Sequence, residues 1–200
     1  MSEQLTNEQI NEAGHLTIGG VDADELAMKY QTPLAVYDVS KIRDQIRRFK
    51  SVFEANGVDY AVSYASKAFA AIAMFQVIDQ EQGHIDVVSG GELYTALQAG
   101  FPMARVSFHG NNKSREELEM AVKNHVGVIV LDNFHEIELL DQVLKEQDAS
   151  SAVMLRITPG ISAHTHEYIS TGQEDSKFGF DLKSGQADEA LQEVLANERM

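Results

Sequence analysis

Lys67 is the residue best placed for covalent chemistry. It lies within Tyr64-Ala65-Ser66-Lys67-Ala68-Phe69-Ala70-Ala71, and small, apolar surroundings of that kind disfavour the charged ammonium and free the amine to attack a carbonyl. The ordinary alternative is a strand-end lysine whose stem carries its amine out to water. Further polar groups follow at intervals: Asp86 and Ser89, His109 with Asn111 and Asn112, Asp132 with Asn133, and Arg156. Asp86-Val87-Val88-Ser89-Gly90-Gly91-Glu92 leaves a strand through two glycines, a shape that exposes backbone amides or lets a ligand approach closely. It lacks the third glycine of a dinucleotide fingerprint and the Gly-Lys-Ser/Thr of a P-loop. By spacing alone it reads as a tight turn with Ser89 as helix cap. His164-Thr165-His166-Glu167 places alternate side chains on one face of a strand, but no third ligand stands at a suitable spacing, so no metal site is expected. His15, His84, His125 and His135 read as ordinary histidines, and nothing pairs them into a triad.

These groups need elements to hold them. Strand candidates run Asp59–Tyr64, Ile85–Val88, Arg105–Phe108, Val126–Leu131 and Ala152–Ile157, with starts about twenty to twenty-six residues apart, the length of one strand-plus-helix unit. Helices fill the gaps near Ala68–Gln80, Glu92–Ala99, Ser114–Asn124, Phe134–Glu146 and Gln186–Ala196. Ser114 with Glu117 forms a capping box, and Gly100 and Gly127 stand where helix ends favour positive φ. Before this series come a polar N-terminal arm, a helix at Asp22–Tyr30, a strand at Leu34–Val39 and an amphipathic helix after Ser40, the expected N-cap. Right-handed crossovers between such units make a parallel sheet, whose carboxyl edge gathers the loops that bind ligands. The polar groups above all fall just past strand ends, which points to one shared site. Two folds accept the pattern: a complete five-stranded open sheet, or part of an eight-stranded barrel of about 250 residues.

Composition narrows the function classes. The chain has 200 residues, 44% of them apolar, enough for a sizeable core. With 31 acidic against 16 basic residues its formal net charge is -15, which repels a phosphate backbone, so no nucleic-acid partner is expected. There is no cysteine, hence no disulfide framework or zinc–thiolate site. The longest apolar run, Ala68 to Phe75, is far too short to cross a bilayer, and the start lacks a signal peptide's blocks. The expectation is a soluble cytoplasmic protein with no membrane partner.

Tyr64 to Phe69, Asp86 to Glu92, Phe108-His109-Gly110-Asn111-Asn112-Lys113 and Arg156-Ile157-Thr158-Pro159-Gly160 occur in order with His164-Thr165-His166 and Ser176-Lys177-Phe178-Gly179-Phe180. Together they resemble the pyridoxal-phosphate-dependent diaminopimelate decarboxylases, of the alanine-racemase-like barrel class. The resemblance implies an α/β fold, a TIM-type (β/α)8 barrel of which about five βα units are present, so that the chain represents a barrel stopping three strands short. It implies an N-terminal arm over residues 1–40, whose strand contributes to a separate β domain, and the N-terminal part of the cofactor-binding barrel over 41–200. It further implies pyridoxal 5′-phosphate as cofactor, joined to Lys67 as a Schiff base, with Arg156 near the ring's phenolic oxygen and Asp86, Ser89 and His109 lining the cavity. The implied reaction converts meso-2,6-diaminopimelate to L-lysine and carbon dioxide. The implied assembly is a homodimer with shared active sites, and the residues gripping the substrate's far end and the phosphate are expected beyond Met200. The alternatives are a related decarboxylase acting on ornithine, arginine or carboxynorspermidine, and a non-catalytic relative of the same fold.

Overall fold

A computed structural model describes residues 9–160 and 178–200. The chain divides into two compact units, one up to Tyr60 and one from Ala61. In the first, strands β1 (Thr17–Ile18) and β2 (Val21–Asp22) pair antiparallel. The two residues between them, Gly19 and Gly20, both have positive φ, as a two-residue hairpin turn requires. Asp22 then caps α1 (Ala23–Tyr30) by accepting from the Asp24 N–H. The strand expected at Leu34–Val39 does not form: residues 34–38 adopt no regular structure and Val39 opens α2 (Val39–Ala55). The expected cap, Ser40, is likewise displaced by Asp38, whose carboxylate accepts from the Ser40 and Lys41 N–H groups and draws Val39 into the first turn. Helix α2 belongs to this unit rather than to the one that follows.

The second unit is a run of strand–helix repeats: β3 (Ser63–Ala65), α3 (Ile72–Gln80), β4 (His84–Val87), α4 (Gly90–Gln98), β5 (Val106–Phe108), α5 (Arg115–Lys123), β6 (Val128–Leu131), α6 (Phe134–Glu146) and β7 (Val153–Leu155). Three more elements follow: β8 (Ile157–Thr158), β9 (Phe180–Asp181) and α7 (Gln186–Leu195). The first five strands form one parallel sheet in the order β3-β4-β5-β6-β7. Every neighbour in space is the neighbour in sequence, so the winding never reverses. A doubly wound sheet has a reversal point, and a barrel has none.

The helices agree with the strand order. Each of α3 to α6 packs on the next, as in the outer layer of a barrel. Ile85, Val87, Val106 and Phe108 are buried, while Asp86 and Ser107 between them face the other way and stay partly exposed. Phe75, Ile78, Leu93, Leu118, Leu140 and Leu144 fill the space between helices and sheet.

Arg156 interrupts the last strand. Its N–H donates to Leu131 O and its carbonyl accepts from Phe180 N, so the ladder passes from β7 into the parallel pair β8–β9. A sixth strand position therefore follows the five read from sequence; two residues carry no periodicity that would reveal it. The capping box at Ser114 and Glu117 forms as expected. Gly100 has the expected positive φ, but Gly127 does not. At the end of α5 that conformation falls to His125, and Gly127 is required because a Cβ there would lie 2.2 Å from Ala104 O.

Candidate functional site

The loops at the carboxyl edge of the sheet enclose a cleft of about 700 Å3, a size suited to a small organic molecule. Lys67, Asp86, His109 and Arg156 all line it, together with Asn111 and Phe178. Four of the five site residues expected from sequence thus converge from different strand ends. Ser89 does not line the cleft. Its hydroxyl caps α4 by accepting from Glu92 N, and the adjoining Gly90 N–H is donated to Glu117 Oε1 at 2.5 Å. That turn is a helix start rather than an open phosphate cradle.

Lys67 follows β3 in a single 3-10 turn, Ser66–Ala68. Ser66 is 1% exposed, and its hydroxyl shares its single proton between the Asp86 carbonyl at 2.7 Å and Glu92 Oε2 at 2.6 Å, pinning the backbone beside the lysine. Lys67 itself is exposed, as are Ala68, Phe69 and Ala70. The desolvation expected from its sequence neighbours is therefore not provided by the described residues, because β3 is an edge strand with a ladder partner on one side.

Asp86 extends from β4, where it accepts from Ser63 Oγ at 2.6 Å and lies 3.7 Å from His109 Nε2. The latter spacing is too long for a direct hydrogen bond but close enough for attraction to a protonated ring. Burial alone would raise the Asp86 carboxyl; the His109 ring and the Ser63 hydroxyl outweigh it and hold the group below its ordinary range.

Arg156 is held from two sides. Its Nη1 donates to Asp132 Oδ1 at 3.1 Å, and its guanidinium lies 4.3 Å from the centre of the Phe178 ring. Asp132 is buried beneath it. Asn133 caps α6 and donates to Asn111 O at 3.1 Å, while Asn112 is exposed. His164, His166, Ser176 and Lys177, singled out from sequence, lie outside the described residues.

Sequence reasoning missed that three cap-associated carboxylates stand together behind the cleft. Glu92, Glu117 and Glu136 each stand three residues after a helix cap, at Ser89, Ser114 and Asn133, so the capping-box spacing that identified Ser114 held the signal three times over. It also missed Lys113, whose buried Nζ is 3.0 Å from Glu136 Oε2. Burial pushes the Lys113 amine below its ordinary range, and the facing Glu136 carboxylate offsets only part of that.

The donor set suits pyridoxal 5′-phosphate. Lys67 offers an amine for the aldehyde, Arg156 a cation for an anionic ring oxygen, and Phe178 and His109 supply flat surfaces in a cleft of matching size.

Comparison with known proteins agrees. Residues 39–200 match the family model "Pyridoxal-dependent decarboxylase, pyridoxal binding domain". The chain is 59% identical over 187 residues to the diaminopimelate decarboxylase of Bacillus methanolicus, covering 94% of this chain and 43% of that protein. It is 58% identical over 190 residues to that of Bacillus subtilis strain 168, covering 95% and 43%. Among solved structures, diaminopimelate decarboxylase of M. jannaschii in co-complex with L-lysine superposes with a TM-score of 0.84 at 36% identity, over 98% of this chain and 46% of that one. The chain spans less than half the length of each of these relatives. By the family-model match over residues 39–200, the identity to these relatives and the superposition over most of its length, the chain belongs to the pyridoxal-dependent decarboxylase family and carries that family's pyridoxal-binding domain.

Proposed function

We propose that this chain is the cofactor-binding part of a diaminopimelate decarboxylase, which converts meso-2,6-diaminopimelate to L-lysine and carbon dioxide. The observation that carries the reading is the convergence of Lys67, Asp86, His109 and Arg156 on one cleft in a chain 59% identical to a diaminopimelate decarboxylase. The relative solved with L-lysine supports the choice of product.

Decarboxylation breaks the bond between Cα and its carboxylate and leaves an electron pair on Cα that a proton must finally quench. Pyridoxal 5′-phosphate, when bound, supplies the conjugated sink for that pair. Lys67, at the rim of the cleft, is the covalent anchor, and its exposure leaves the amine accessible to an incoming aldehyde or amino acid. Asp86 stays ionised at neutral pH and places a negative charge 3.7 Å from His109 Nε2 at the cleft. Arg156, already anchored to Asp132, has guanidinium N–H groups that take no other hydrogen bond among the described residues and suit an anionic oxygen on the ring. Ser89 acts on the cavity through its cap on α4 rather than by lining it.

In this reading residues 41–200 belong to a (β/α)8 barrel domain, whose strand–helix repeats begin after Tyr60; the family-model match over 39–200 supports counting α2 with it in sequence, although α2 packs within the first unit. The family resemblance further supports a cytoplasmic homodimer with shared active sites. No described helix is long and apolar enough to cross a membrane.

The test is to load the full-length protein with pyridoxal phosphate, reduce it with borohydride and map the labelled peptide. Label at Lys67 is expected, and label elsewhere would overturn the assignment. Carbon dioxide release from meso-diaminopimelate should exceed release from ornithine; the reverse would move the substrate to the ornithine class.

A further inference from the structure

Three successive loops at the carboxyl edge of the sheet are clasped in the same way. Glu92 accepts from Val88 N in its own loop and from Ser66 Oγ in the preceding one. Glu117 accepts from Ser114 N and, in the preceding loop, from Gly90 N. Glu136 accepts from Asp132 N and, in the preceding loop, from both the backbone N–H and the Nζ of Lys113. Each carboxylate thereby ties one strand–helix unit to the next.

The third clasp is built differently from the others. Lys113 and Glu136 have side chains only 1% exposed. The Lys113 ammonium also donates to Gly110 O at 2.7 Å and to Val130 O at 2.6 Å, so all three of its protons are used. An ion pair taken this far out of water adds little net stability compared with well-packed apolar residues of the same volume. Its position assigns it another task. On one side it grips the loop carrying His109, Gly110 and Asn111. On the other it holds the backbone of Asp132, whose carboxylate fixes Arg156 and the Gly179 N–H. Neither Lys113 nor Glu136 lines the cleft.

We propose that Lys113 and Glu136 are positioning residues for cofactor binding, which hold the His109 loop and the Asp132–Arg156 pair in mutual register from behind the cleft wall. The inference rests on the reading of the cleft as the pyridoxal phosphate site. It makes cofactor affinity depend on a pair that never touches the cofactor.

The experiment uses full-length protein stripped of cofactor, with three readouts: melting temperature, the dissociation constant for pyridoxal phosphate, and circular dichroism of the visible band once it is bound. Lys113→Met leaves Glu136 buried without its cation and is expected to lower the melting temperature and weaken cofactor binding together. The double variant Lys113→Met with Glu136→Leu removes both charges. It is expected to recover most of the melting temperature while keeping a dissociation constant raised about tenfold and an altered visible dichroism. A stable double variant with wild-type affinity and dichroism would overturn the proposal, since a purely structural pair predicts that result. If the double variant does not fold, hydrogen exchange in the wild-type protein decides. Binding at the cleft must tighten the clasp in return, so the Lys113 and Asp132 N–H groups should exchange at least fivefold more slowly with cofactor bound, and equal rates would overturn the proposal. Failure of the wild-type protein to bind pyridoxal phosphate would sink the reading of the cleft instead, which the label at Lys67 tests separately.

Discussion

Asp132 holds the Arg156 guanidinium with one carboxylate oxygen, at 3.1 Å, and accepts the Gly179 N–H with the other, at 2.9 Å. Its side chain is 2% exposed against 33% for Arg156, so the carboxylate is the fixed post and the guanidinium the arm. A single buried group thus sets the direction of the cation at the cleft and joins β6, β8 and the turn before β9.

Asp132→Ala removes both bonds and leaves the Gly179 N–H unpaired. A loss of about 2–4 kcal/mol is expected in urea unfolding of the full-length protein. Asp132→Asn keeps an acceptor oxygen and should lose roughly half as much. Equal losses for the two would show that the charge, rather than the shape and the acceptor that Asn keeps, matters here.

Gly179 has φ +74, and a Cβ added to it would lie 2.7 Å from Arg156 O. Gly179→Ala is expected to destabilise by about 2–3 kcal/mol, combining left-handed strain with a backbone clash. Gly100 has φ +70 with nothing within 4 Å, so Gly100→Ala should cost only about 1 kcal/mol. The difference between their urea midpoints isolates the clash.

Ser66→Ala deletes a buried hydroxyl that serves the Asp86 carbonyl and Glu92 together. An expected loss of about 1–3 kcal/mol follows from leaving those acceptors short of a donor. Because Ser66 adjoins Lys67, borohydride trapping of pyridoxal phosphate at Lys67 should also slow by severalfold. An unchanged trapping rate would separate the hydroxyl from the site.

Asp86 binds its proton less readily in the folded protein than in the unfolded chain. The stability this contributes is complete above the ordinary carboxylate pKa near 4 and is lost as pH falls through the lower folded value. The unfolded state binds the proton first on acidification, so unfolding free energy must drop on the acid side. Asp86→Asn should flatten that part of the profile, measured by urea melts between about pH 3 and pH 7. An acid limb of undiminished slope in the variant would assign the dependence to other carboxylates.

Much of the chain was legible as local pattern. The helix at Phe134–Glu146 has the bounds expected of it, and Ser114 with Glu117 forms the expected box. Asp86, His109 and Arg156 were found from position alone, because polar residues just past strand ends in a parallel α/β pattern share one edge. The choice between an open sheet and a barrel was not legible in the spacing, since both are made of the same strand–helix units; the motif resemblance pointed to the barrel, and the strand order agrees.

The sequence by itself determined which segments become strands or helices in most of the chain, and that Lys67, Asp86, His109 and Arg156 gather at one edge. Those properties rest on periodicity and on bonds between residues three or four apart. Only the tertiary structure decided that Ser89, read from spacing as a cap, stays out of the cleft, that residues 34–38 form no strand, and that Lys113 meets Glu136 and Asp132 meets Arg156. Those partners lie 23 and 24 residues apart, a full strand–helix unit. Whether such groups meet depends on how one unit stacks on the next, which no local spacing encodes.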